Sequence, residues 1–468
     1  FVDFLVEAGQ GLWQILPLNP TGSDGSPYNA RSALAGNPLL IDLEQLVEQG
    51  LLPYGELPRY GDDQTATVDF VEAAAGAEAA LRAAFARFRQ TEPAGLAARY
   101  AVFRRAQYRW LDDYVLFAAL HRAHNGAPWY TWGNDLARRD PATLDLWRRR
   151  LQDEVDYRAF VQFLFDDQWL AVRRYANERG VRVIGDIPIY VAFDSADVWA
   201  NQSLFALTPE GQPAVVAGVP PDLFSATGQL WGNPCYRWDR LAAQGYQWWV
   251  ARFRRALQHC DLVRLDHFRG FAAGWQVPAG EETAIGGSWV PGPGRAFFAR
   301  LAAELGPLPV IVEDLGVITE DVDELRHELG YPGMKVLQFA FDGKSDNPYL
   351  PHNYEPNCVV YTGTHDNDTT MSWYQSLDSV TRTQVDRYLG PHDPDAAWAL
   401  LRLAQASVAR YAIAPLQDVL SLGGEARMNT PGTAEGNWRW RFREEDLAPG
   451  LAHRLAELSA AYGRVPGA

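Results

Sequence analysis

Residues 261–271 read DLVRLDHFRGF. Leu262, Val263 and Leu265 are dense enough for a buried strand, yet Arg264, Asp266, His267 and Arg269 share the stretch. Strands buried on both faces read as apolar runs, and a core does not accept unpaired charges. A barrel strand whose last residues open into a site meets both demands. Side chains two apart on a strand share a face, so Arg264 is expected beside Asp266, where its charge favours the carboxylate. The same period turns His267 to the opposite face.

Working outward, six further β-like runs occur at 12–18 (LWQILPL), 181–191 (VRVIGDIPIYV), 309–314 (PVIVED), 335–341 (KVLQFAF), 358–362 (CVVYT) and 412–416 (AIAPL). Helical patterns separate most of them, at 160–180, 248–257, 295–305, 321–329 and 394–411. In the first of these, Phe160 with Leu164 and Val161 with Phe165 lie four apart, and Gly180 stands at the C-terminal cap. Strands alternating with helices predict a parallel α/β fold. Eight such units close a (β/α)8 barrel, and seven are found here. Residues 1–11 (FVDFLVEAGQG) read as the second half of an amphipathic helix, with Val2, Leu5 and Val6 on one face and Gly9 and Gly11 ending it. The expectation is therefore one catalytic (β/α)8 barrel over 1–468 whose first strand precedes Phe1. It carries a helical insertion at 52–150 and a second insertion at 192–260, which includes a Gly/Pro-rich ordered loop at 217–234 (AGVPPDLFSATGQLWGNP).

With 468 residues, 47% hydrophobic and 21% charged, the chain has the composition of a globular protein. A net charge of −16 speaks against nucleic acid and against anionic membrane surfaces. No apolar run approaches a membrane span, and no signal peptide is evident. Cys235, Cys260 and Cys358 form no metal-site spacing and are expected as reduced thiols in a cytoplasmic protein.

Four carboxylates stand at the C-terminal ends of predicted strands: Asp186, Asp266, Glu313 and Asp366. That end of a barrel is where active sites are built. A lone acid there is usually a helix N-cap; four together, two beside histidines (Asp266-His267 and His365-Asp366), ask for another reason. Glycoside cleavage needs two such carboxyls, and a divalent-metal site is the competing chemistry. The 17 Trp, 20 Tyr and 21 Phe favour sugar. Several fall in expected loops (Tyr28, Trp129, Trp231, Trp289), and an aromatic face suits the CH face of a pyranose, although most such rings serve packing.

Long motifs in order along the whole chain resemble the amylomaltase family, the 4-α-glucanotransferases also called disproportionating enzymes. They are NPTGSDGSPYNARSALAGNPLLIDL (19–43), GDIPIYVAFDSADVW (185–199), GVPPDLFSATGQLWGNP (218–234), VRLDHFRGF (263–271), VEDLG (312–316), YTGTHDNDT (361–369) and RMNTPGT (427–433). The resemblance implies a (β/α)8 barrel with inserted subdomains and no cofactor or metal. It implies donor and acceptor α-1,4-glucans (maltooligosaccharides, amylose, glucose) as the only required partners. By the same resemblance Asp266 is the nucleophile, Glu313 the acid/base, and Asp366 the carboxylate that holds the 2- and 3-hydroxyls. Tyr28, Asp186 and His365 line the donor side with Arg264; Ser26, Asp222, Gln229, Trp231 and Asp342 match positions around the acceptor side. The expected reaction is retaining double displacement, which also forms cyclic glucans when the acceptor is the same chain. An α-1,4-glucan hydrolase would share the same acids, whereas a non-catalytic glucan-binding relative would be expected to have lost one. The family's Pro-rich first strand is absent here, and the loop at residues 22–24 lacks the aromatic that some members use for a second glucan site, so none is expected.

Overall fold

The computed structural model describes residues 1–22, 24–58, 66–221, 225–391, 394–433 and 435–466; Ser23 and Asp222 lie outside them. The described residues hold eleven strands: β1 (Leu12–Gln14), β2 (Arg182–Ile187), β3 (Val215–Val219), β4 (Gln229–Pro234), β5 (Leu262–Leu265), β6 (Ala273–Pro278), β7 (Ser288–Pro291), β8 (Val310–Val312), β9 (Gly333–Val336), β10 (Cys358–Tyr361) and β11 (Tyr411–Ile413).

β1, β2, β5 and β8 pair in parallel in that order, with Leu12 opposite Arg182, Ile184 opposite Leu262 and Val263 opposite Val310. β9, β10 and β11 form a second parallel ladder. The Val312 N–H donates to the Pro332 carbonyl at 3.0 Å and bridges the two ladders. The parallel strands thus follow one another in chain order. Among the described residues no ladder joins β11 to β1. Val183, Val263, Leu265, Ile311, Val312, Val359 and Val360 are fully buried, as in strands covered on both faces.

Helices cover these strands. The helix Gln152–Glu178 ends before Gly180, whose φ of +79° supplies the left-handed cap. Helices Phe70–Thr91 and Ala94–Ala123 bury Leu81, Phe88, Leu116 and Leu120 in the cluster that holds Phe160, Val183 and Val263. The inserted helices therefore share their core with the strands.

Several expectations need correction. In the first helix, Val2–Glu7, Phe4 is buried and Val6 is 42% exposed. Its end is a Schellman cap: Gln10 N–H donates to Leu5 O, Gly9 N–H donates to Val6 O, and Gly9 has a φ of +67°. The run 335–341 begins its strand earlier, at Gly333, and turns into a 3-10 helix at Leu337–Phe339. The helix expected at 394–411 spans Ala396–Ala406. The stretch 217–234 is not a simple loop. Its two ends, 217–219 and 229–234, are strand residues of an antiparallel hairpin, β3 with β4, within a four-stranded sheet of order β4-β3-β6-β7. Gly218 permits this: a Cβ there would sit 2.4 Å from the Gln229 carbonyl oxygen.

Candidate active site

β5 and β2 place Arg264 directly opposite Asp186, so both side chains rise on one face. The Arg264 Nη1 donates to both Asp186 oxygens, at 2.9 and 2.8 Å, and to Asp266 Oδ1 at 3.0 Å. The Arg264 and Asp186 side chains are 4% and 1% exposed, whereas that of Asp266 is 25% exposed. The cation is thus sealed below while the second carboxylate faces the opening. The Tyr28 hydroxyl donates to Asp186 Oδ2 at 2.6 Å, and burial, reinforced by the Asp186 charge, holds that phenol protonated. Ser26 acts one step back, its Oγ accepting the Tyr28 N–H at 3.3 Å.

Glu313 follows β8. Its Oε2 accepts the His267 N–H and its Oε1 the Leu315 N–H, both at 2.8 Å. Burial, with the Asp266 charge added, pushes this carboxyl up to about 8, against Arg264 and the two N–H donors. Glu313 therefore carries a proton at neutral pH beside an ion-paired Asp266. His267 stands just beyond the strand. β5 ends at Leu265, so the two-residue period no longer applies at 267, and the residue turns with a φ of +48°. Its backbone reaches the site while its ring is buried and held neutral, pushed down to about 4 mainly by desolvation.

Asp366 lies on the loop after β10. Its Oδ1 accepts from Asn429 Nδ2 at 2.6 Å, its carbonyl accepts from Arg427 Nη2 at 3.0 Å, and its Oδ2 lies 3.4 Å from His365 Nε2. The His365 ring stacks on Tyr28 with centroids 5.0 Å apart, and Trp438 packs on both rings at 5.7 Å. Asp186, Tyr28, Arg264, His365, Asp266, Glu313 and Asp366 thus form one connected group. Buried Asp418 pins both ends of the loop: its Oδ2 accepts the Thr362 hydroxyl at 2.5 Å and its Oδ1 the Thr370 N–H at 2.8 Å. A cavity of about 600 Å³ opens between β1 and β11, lined by Trp13, Gln14 and Ile413, and reaches Arg264 and His365.

On the other side, Trp231 of β4 is 38% exposed, and its Nε1 donates to the Gln229 Oε1 at 3.2 Å. Its ring meets the His267 ring edge-on, 4.8 Å away. Asp342 is not drawn in; it sits on an exposed turn and accepts the Lys344 N–H at 3.0 Å. Asn429, Arg427, Trp438 and Asp418 were missed as site residues. The first two stand in the RMNTPGT motif, but only tertiary contact shows what they hold. Among the described residues, no three His, Cys, Asp or Glu side chains are grouped to hold a metal ion, and no helix is long and apolar enough to cross a membrane. All three cysteines are buried and free.

A family model described as 4-alpha-glucanotransferase matches residues 1–447. A 4-alpha-glucanotransferase of Synechocystis sp. is 52% identical, covering 99% of this chain and 93% of that one. The enzyme of that name from Thermus thermophilus is 48% identical over 99% of this chain and 94% of its own. Among solved structures, an amylomaltase from Streptococcus agalactiae in complex with acarbose superposes with a TM-score of 0.95 at 36% identity, covering 99% of this chain and 94% of the other.

Proposed function

The chain belongs to the 4-alpha-glucanotransferase family and is an enzyme acting on α-1,4-glucans; from that premise we propose that it transfers glucan segments by retaining double displacement, with Asp266 as nucleophile and Glu313 as acid/base. The observation that carries this is the contrast between neighbours. Glu313 is held protonated at neutral pH, while Asp266 is ion-paired to Arg264. A carboxyl that keeps its proton next to one paired with a cation is what a retaining mechanism needs.

Glu313 gives its proton to the glycosidic oxygen as Asp266 attacks the anomeric carbon, and the leaving glucan departs with that proton. The Glu313 carboxylate then takes the proton from the 4-hydroxyl of an acceptor, whose oxygen displaces Asp266. Asp366, fixed by Asn429, holds the hydroxyls of the bound sugar. Tyr28, His365 and Asp186 wall the donor side, and Ser26 orders the turn that presents Tyr28. Trp231 and Gln229 line the acceptor side. An acceptor hydroxyl on the same chain yields a cyclic glucan. The seven parallel strands are read as members of a (β/α)8 barrel, with the eighth position falling in the cavity between β11 and β1.

The decisive experiment is incubation with maltotriose. Longer oligomers together with glucose are expected, and D266N and E313Q should each lose on the order of 10³-fold in rate. Near-normal rates in either variant would remove that residue's role. Release of reducing sugar without longer products would make the enzyme a hydrolase. Activity should survive exhaustive chelation; loss reversed only by added divalent cation would return the carboxylates to a metal site.

A further inference from the structure

His267 touches two parts of the molecule that the reaction must bring into step. Its N–H holds Glu313 Oε2 at 2.8 Å. Its ring supports Trp231, centroid to centroid 4.8 Å at 82°. The residue adopts a left-handed φ of +48°, a conformation that few residues other than glycine take without reason. This turn sends the amide toward Glu313 and the ring under the hairpin at once. Gly270 makes room for it, since a Cβ there would lie 3.3 Å from His267 Cδ2. The ring's Nε2 is buried and finds no hydrogen-bond partner among the described residues. Such a polar atom is costly to bury, so a site kept only for packing would be filled better by leucine or phenylalanine.

We infer that His267 is a positioning residue that couples the acceptor-side hairpin to the acid/base: where Trp231 rests decides where the Glu313 carboxyl is held. The inference depends on the acid/base role of Glu313 proposed above. It gives that role a sensor. An acceptor glucan docking against Trp231 presses on His267, and the amide that holds Glu313 moves with the ring. The carboxyl is thereby seated for proton transfer when a sugar, rather than water, occupies the acceptor side. The groups facing Glu313 are Arg264 of β5, Asp266 just after it, Tyr349 from the segment after β9, and the N–H groups of His267 and Leu315. Substitution at Trp231 deletes none of these groups, so a shift in W231A has to come through their placement.

The test is the pH profile of kcat/KM for maltotriose transfer in W231A, W231F, H267G and the double variant W231A/H267G. Glycine accepts the left-handed backbone and keeps the N–H, so H267G removes the ring alone. Misplacing the His267 amide weakens a donor that favours the Glu313 carboxylate, so W231A and H267G should each move the alkaline limb up by about one pH unit. The double variant should move it no further than either single one. W231F, which still presents a ring to His267, should keep the limb of the parent. A limb unmoved in W231A, or shifts that add in the double variant, overturns the coupling. If H267G does not fold, W231A against W231F still decides, because that pair leaves His267 intact. E313Q, measured alongside, separates the two ideas: a surviving rate there removes the acid/base role itself, whereas a lost rate with an unmoved limb in W231A removes only the coupling.

Discussion

Replacing Arg264 with methionine tests the electrostatic frame of the site most directly. The side chain is 4% exposed and is the only cation hydrogen-bonded to Asp186 and Asp266 among the described residues. Methionine fills a similar volume and removes the charge. Asp186, 1% exposed, then keeps only the Tyr28 hydroxyl as a side-chain donor. Breaking a buried pair by deleting one partner costs about 3–5 kcal/mol, because the remaining charge stays buried. In R264M that charge can be relieved only by protonation, so the folded-state pKa of Asp186 rises further above its unfolded value. Stability tied to such a raised carboxyl is present at low pH and is lost as pH rises toward the folded pKa. The deficit in urea unfolding should therefore be about 3–5 kcal/mol at pH 7 and shrink on acidification toward the ordinary carboxylate range. Adding D186N removes the unpaired charge and should restore much of the stability. It should leave the transfer rate down on the order of 10³-fold, since Asp266 still lacks its counter-ion. An R264M protein within about 1 kcal/mol of the parent at pH 7 refutes the reasoning, as does a deficit that stays constant on acidification.

Asn429→Ala should lower kcat about 10²-fold through misplacement of Asp366, with little effect on thermal midpoint, as read by steady-state kinetics and calorimetry. The kcat/KM of the parent should fall as pH rises through about 8, because the proposed mechanism takes Glu313 into the first step protonated; a profile flat to pH 9.5 contradicts its raised pKa. Asp418→Ala leaves the Thr362 and Thr370 donors without their acceptor and should cost about 1–3 kcal/mol per unpaired group in urea unfolding, together with a loss of activity as the loop at 363–369 relaxes.

The parallel strands were legible because each is a short apolar run that ends in an acid or a turn residue, and β5 declared itself by charges the core could not hold. Their boundaries were less so: Pro17 and Pro415 lack the N–H that a ladder requires, and the strands before them end early. The antiparallel sheet was hidden for another reason. Pro220, Pro221 and the surrounding glycines read locally as loop, and only the pairing of Gly218 with Trp275, and of Trp275 with Trp289, turns those segments into strands. The same holds in the site. Arg264 was placed beside Asp266 by simple alternation, but the support of Asp366 by Asn429 spans 63 residues and leaves no local signature. The left-handed turn at His267 could not be read from the strand period, which stops at Leu265.

The ring of Trp438 against Tyr28 and His365 has a consequence for biosynthesis. This ring cluster, the proposed donor wall, joins residues from the first thirty of the described chain to residues within its last thirty-five. A ribosome that has released everything up to β11 has already delivered both proposed reacting carboxyls, Asp266 and Glu313, yet the clamp on Asp366 and the lid on Tyr28 are still to come. A chain that stops at β11 therefore carries both acids without the contacts that hold Asp366 and pack on Tyr28.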